Sequence, residues 1–80
     1  MPMMLMKLSI PTAHHFRKYL LDNGFELHPG RGKGDHEVWV HPEDHTRRVV
    51  LDAGRKTPKI GTFKQMLRTG RLNEADFRQA

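Results

Sequence analysis

Apolar residues recur along this chain with two different periods, and the changes of period mark its elements. Ala13, Phe16, Tyr19 and Leu20 fall on one face at helical spacing, while Arg17, Lys18 and Asp22 point elsewhere. The pattern predicts a helix from about Pro11 to Asn23, with Ser9 or Thr12 as its cap and a proline tolerated in the first turn. Gly24 stops it, because glycine takes the left-handed conformation at no steric cost. Gly24-Phe25-Glu26-Leu27-His28 then alternates apolar and polar as a half-buried strand does. Pro29-Gly30-Arg31-Gly32-Lys33-Gly34 is a loop, since three glycines and a proline in six residues do not sit inside a sheet. A second strand, Asp35 to His41, centres on Val38-Trp39-Val40. Pro42-Glu43-Asp44 turns the chain into a third, Arg47-Arg48-Val49-Val50-Leu51, rich in β-branched residues.

After a polar basic loop, Ala53 to Lys59, the helical period returns. Thr62 has the character of an N-cap, and Gln65 three residues on completes a capping box. Phe63, Met66 and Leu67 supply the apolar face, and Gly70 ends the helix. Asn73-Glu74-Ala75-Asp76-Phe77 reads as one further turn, with Asn73 as its cap and Phe77 tucked back. The order is α-β-β-β-α. The short connections make the strands an antiparallel meander, and two amphipathic helices cover one face of it. The expected class is therefore α+β, resembling the double-stranded-RNA-binding domain, with the other sheet face open. Residues 11–80 form a single domain. Residues 1–10 are either an unstructured leader or a short strand docked on that domain. The apolar start Met1-Pro2-Met3-Met4-Leu5-Met6-Lys7 has no charged segment before it and is broken by a proline, unlike a signal peptide.

Composition narrows the partners. With 14 Lys and Arg against 9 Asp and Glu the chain of 80 residues carries a formal charge of +5. A pI near 10.1 points to an anionic partner: nucleic acid, an acidic membrane surface or an acidic protein. No stretch approaches the roughly 20 apolar residues that span a bilayer. The absence of cysteine removes disulfides and thiolate chemistry and fits the cytoplasm.

The basic residues cluster at two places. Gly34 and its neighbours Arg31 and Lys33 offer backbone N–H groups and two cations to a phosphate, in a loop that is otherwise a flexible hairpin connection. Arg55, Lys56 and Lys59 precede a helix whose N-terminus favours anions. Arg68 and Arg71, near a helix C-terminus, fit a solvated surface that complements the helix dipole. Among six histidines, His14 and His15 diverge on a helix, and His41 and His45 surround a turn with no further ligand pair, so no metal is expected. Alternation places Trp39 opposite Val38 and Val40. Either Trp39 is core and the valines and His36 face outward, or the reverse holds and the ring can stack on a base.

Three stretches resemble the HicA (YcfA-like) toxins: Leu20-Leu21-Asp22-Asn23-Gly24-Phe25, where the family has a helix ending in a "GF" step; Gly34-Asp35-His36, where it has "GSH"; and Gly61-Thr62-Phe63-Lys64-Gln65-Met66-Leu67, where it has a helix opened by "GT". Leu72-Asn73-Glu74-Ala75-Asp76-Phe77 matches a closing "L-S-x-x-x-F". The resemblance runs from about residue 12 to residue 78. Asp35 replaces the motif's serine, Glu37 replaces a frequent second histidine, and Leu51-Asp52-Ala53-Gly54 stands where the family has a proline and a histidine.

The resemblance implies a metal-independent endoribonuclease that cuts mRNA, needs no cofactor and is neutralised by a HicB-type antitoxin, as a monomer or within a toxin–antitoxin complex. It maps the family's catalytic histidine onto His36, with Arg31, Lys33, Gly34, Arg48, Lys56 and Lys59 as the RNA-binding residues. Histidine suits either proton transfer in RNA cleavage, and Asp35 or Glu37 is near enough in sequence to orient its ring. Two carboxylates beside His36 would also repel a phosphate, which leaves open a non-catalytic RNA-binding or protein-interaction module of the same fold.

Overall fold

The computed structural model describes residues 7–28 and 35–79. Its elements are β1 (Lys7–Leu8), α1 (Ala13–Asp22), β2 (Glu26–Leu27), β3 (His36–His41), β4 (Asp44–Asp52), α2 (Ile60–Thr69), a 3₁₀ turn (Glu74–Phe77) and β5 (Arg78–Gln79). Strands β2, β3 and β4 form an antiparallel meander in that spatial order. The expected α+β, dsRBD-like architecture is the one observed. Lys7–Leu8, within the segment read as a leader, pairs antiparallel with Arg78–Gln79 in a second, two-stranded sheet. A strand after Phe77 leaves no mark in the hydrophobic pattern, because two residues are too few to show a period.

Helix α1 begins where Thr12 caps it, its hydroxyl accepting from the His15 amide at 3.2 Å. Gly24 ends it in the left-handed region at φ 85°. The start of α2 is a correction to the sequence reading. Lys59, with extended backbone and no side-chain cap bond, is the N-cap, so Thr62 and Gln65 lie inside the helix rather than forming a capping box. The apolar spacing fixed which face of this helix is buried, but not where its first turn opens. Gly70 closes α2 without a left-handed conformation. A Cβ there would meet Val49 Cγ2 at 2.7 Å, so glycine allows the helix end to approach β4 closely. The left-handed residue is instead Arg71, at φ 51°. Its guanidinium donates to Asp44 Oδ2 (2.8 Å) and Thr46 Oγ1 (2.7 Å). Bonds from Thr46, reinforced by Arg71, hold the Asp44 carboxyl below its usual range.

Both helices bury their apolar faces against one side of the sheet. The core joins Ala13, Phe16 and Leu20 of α1 to Phe63, Met66 and Leu67 of α2, with Phe25, Trp39, Val49, Leu51 and Phe77. Aromatic rings organise its end: Phe77 meets Phe63 edge-on at 5.1 Å and Tyr19 at 4.6 Å. Asn73 caps the 3₁₀ turn by accepting from the Ala75 amide, which places Phe77 inward as expected. The Tyr19 hydroxyl donates to Asp76 Oδ2 at 2.6 Å and ties that turn to α1.

Burial and the Asp76 carboxylate push the Tyr19 phenol up to about 12 from 10.0. A raised folded-state pKa leaves its stabilisation intact below pH 10, and this is lost as pH rises toward 12, because the unfolded chain releases the proton first. Tyr19→Phe should cost about 1 kcal/mol at neutral pH. It should also flatten this part of the alkaline stability loss, as read by thermal unfolding at pH 7, 10 and 12.

Candidate functional site

Strand alternation divides β3 into two sets of side chains. Trp39 is 3% exposed and belongs to the core. His36, Val38 and Val40 therefore face away from the core, which settles the alternative that sequence left open. Glu37 lies on the helix side with Trp39. Its Oε1 accepts from Trp39 Nε1 at 3.1 Å and from Arg17 Nε of α1 at 2.9 Å. The carboxylate is thus committed to a cation and an indole on the face opposite His36. This corrects the expectation that Glu37 either orients His36 or repels a phosphate there. Arg47, also on the core side, covers the Phe25 ring at 5.1 Å and donates to the Gly70 carbonyl at 2.9 Å.

Across the meander His36 pairs with Asp52, Val38 with Val50 and Val40 with Arg48. These six residues make the open face of β3 and β4. His36, Arg48, Val50 and Asp52 line a groove of about 360 Å³, closed on its other side by Thr62, Gln65, Met66 and Thr69 of α2. The groove holds an exposed histidine, a cation, a carboxylate, two hydroxyls and an amide over a floor that includes Val50. Among the described residues Arg48 has no ion-pair partner. Such a set can take a phosphate and move a proton beside it.

Of the residues expected at the site, His36 and Arg48 come together here. Arg31, Lys33 and Gly34 lie outside the described residues. Lys59 is the exposed N-cap of α2. Lys56 occupies a different hollow, with Thr12, Ala13, His14, Arg17, Ala53 and Arg55, and its carbonyl accepts from the Ala13 amide at 2.8 Å. Arg55 and Lys56 thus sit at the start of α1, not at the start of α2. The cause is tertiary: the loop after β4 crosses to α1 before it turns into α2. Asp35 is exposed, and its carbonyl accepts from the Ala53 amide.

Sequence reasoning missed Asp52, Thr62, Gln65 and Thr69 as groove residues. The register of β3 against β4 was the available signal for Asp52, since a tight turn after His41 brings it opposite His36. Thr62, Gln65 and Thr69 follow helical spacing, but Thr62 and Gln65 carry the signature of a capping box and Thr69 carries no signal of its own. Among the described residues no group of three or more His, Asp or Glu is arranged to hold a metal. No helix among them is long and apolar enough to cross a membrane.

The family described as HicA toxin of bacterial toxin–antitoxin systems matches residues 13–72, most of the chain. No curated protein and no solved structure matches it.

The Arg17–Glu37 pair predicts a specific stability signature. Arg17→Met should leave a half-buried carboxylate with the indole alone and cost about 1–2 kcal/mol. Glu37→Gln, which keeps an acceptor for Trp39, should cost less. The double variant should be more stable than the two single losses add up to, measured by urea unfolding as a double-mutant cycle.

Proposed function

Because the chain belongs to the HicA toxin family, the toxins of toxin–antitoxin systems, we propose that it is an endoribonuclease whose active site is the groove carrying His36. The observation that supports this most is the placement of His36 and Arg48 in one groove, with Glu37 turned to the opposite face of the sheet. Cleavage of RNA requires a proton to leave the 2′-hydroxyl as its oxygen attacks phosphorus, and a proton to reach the departing 5′-oxygen. His36 is the acid or base in this scheme. Arg48 holds the phosphate and balances the charge that grows on its oxygens. Asp52, directly across the ladder from His36, orients the ring. One oxygen of Asp52 already accepts from the Gly54 amide at 3.0 Å, which fixes the carboxylate's position. Thr62 and Gln65 add hydrogen bonds to the ribose or phosphate. No metal takes part in these steps.

The substrate in this reading is mRNA in the cytoplasm. Arg31, Lys33 and Gly34, which precede His36 in the sequence, and Lys56 and Lys59, on more distant surfaces, extend the contact to the backbone. The antitoxin that such a system includes is a HicB-type acidic protein covering the groove. This matches a toxin domain whose net charge is +5.

The test is cleavage of a mixed mRNA by the purified protein in EDTA. Wild type should cut, and His36→Ala should lose on the order of 10²–10⁴ in rate with its melting temperature unchanged. Arg48→Ala should weaken binding and reduce the salt dependence of affinity by about one counterion. A fully active His36→Ala variant would sink the assignment. RNA bound but uncut by wild type would make the domain a binding module of the same fold.

A further inference from the structure

The groove at His36 is not the end of the open face. Beyond Arg48, His28, Val40 and His45 line a second hollow of about 200 Å³, and Arg48 borders both. His28 follows β2 and is held to the sheet by its amide, which donates to the Val38 carbonyl at 2.8 Å. His45 lies near the start of β4, beyond the turn. Both histidines are exposed, and Val40 lies between them on the outward face.

We propose that this hollow is a second nucleotide subsite, which takes the nucleotide adjacent to the one at His36, with Arg48 holding the phosphate between them. The inference rests on the ribonuclease reading for its substrate, single-stranded RNA. Three observations carry it. The two hollows share one cation, Arg48, as a common wall. The distance along β3 from His36 to Val40 is about 13 Å at the rise of an extended strand, too long for a single phosphate. The chemistry also differs from that at His36: two imidazole rings over an apolar floor suit a base face, since histidine is among the side chains on which splayed RNA bases stack. Glu26, paired with Val40, and His45 border the neighbouring hollow with Pro42. Glu26 gives the far end of the surface a negative rim and favours a base or ribose over a further phosphate there. The occupant fits RNA better than an acidic protein, because a base uses the rings and valine while a carboxylate uses only the cation.

The experiment measures binding of a fluorescent single-stranded RNA octamer, and of a mononucleotide, by wild type, by His28→Ala/His45→Ala and by His36→Ala. The first variant should bind the octamer on the order of tenfold more weakly, a typical loss for one stacked base. Its mononucleotide affinity should stay within about twofold and its melting temperature should be unchanged. His28→Phe/His45→Phe, which keeps the rings, should recover most of the loss. The proposal is overturned if the alanine double variant binds the octamer as tightly as wild type. It is overturned too if that variant binds RNA normally and loses only its affinity for polyglutamate, which would assign the surface to an acidic protein. The ribonuclease reading fails separately, through uncut RNA, and in that case octamer binding still decides the subsite. If wild type binds no RNA, both readings fall.

Discussion

The Trp39 indole sets the geometry on which the candidate site depends. A strand has a period of two, so committing one side chain to the core fixes the direction of every other side chain on it. Trp39 is the largest apolar side chain of β3, and its burial supplies more apolar area than either flanking valine would. A buried indole N–H needs an acceptor, and Glu37, two residues earlier on the same face, provides one. A half-buried carboxylate needs a cation in turn, and Arg17 of α1 provides that. The chain Trp39–Glu37–Arg17 therefore fixes the face of β3 and ties helix to sheet in one set of contacts. The outward direction of His36 is a consequence of it. Slipping β3 by one residue would bury His36 and expose Trp39, leaving Glu37 without either partner.

A domain of this size, with no cysteine to cross-link it, has little core to spare. It concentrates that core in rings. Phe16, Phe63 and Phe77 come from three different segments, α1, α2 and the 3₁₀ turn, and Tyr19 adds a polar edge bonded to Asp76. The pairing of β1 with β5 then closes the chain ends beside that cluster, with the Ser9 amide donating to the Phe77 carbonyl at 2.6 Å. The rings hold the helices on one face of the sheet and so leave the other face free for chemistry.

Much of this arrangement was legible in the chain. The helical spacing of Ala13, Phe16 and Leu20, the glycine after Asn23 and the cap at Asn73 each act through neighbours within a few residues, and each proved right. The features that sequence left open or misplaced depend on contacts across the fold. Alternation put Trp39 and the valines on opposite faces of β3 but carried no sign for which face was inside. That sign comes from the burial of Trp39, supported by the bond of Glu37 to Arg17, twenty residues before it. The start of α2 at Lys59 follows no capping side chain. Pro58, which is buried, and the extended backbone of Lys59 carry the chain into the helix, and a local capping signal at Thr62 pointed three residues too late. The displacement of Arg55 and Lys56 to the start of α1 has the same origin, a backbone bond from Ala13 to Lys56 that no local pattern encodes.

The distribution of ionic partners gives the basic composition a location. Glu37 with Arg17, Asp44 with Arg71, and Glu74 with Arg78 are structural pairs, each joining two elements or closing a turn. The Arg78 guanidinium holds the Glu74 carboxyl below its usual range, so that pair remains ionised over a wide span of pH. Each pair removes one charge of either sign, and the whole net charge of +5 is then carried by residues outside them. Arg48 is one of these, and it stands where the two hollows of the open face meet. Two other cations near the sheet, Arg17 of α1 and Arg47 of β4, are engaged on the core side with Glu37 and the Gly70 carbonyl. Among the described residues the open face of β3 and β4 therefore presents one arginine with His36, Asp52 and three valines. A dense patch attracts any polyanion, whereas one cation flanked by rings rewards a ligand that brings a phosphate and bases in fixed register. In the ribonuclease reading proposed above, selectivity for a nucleic-acid strand over other anions would follow from how few charges the described residues leave on this face.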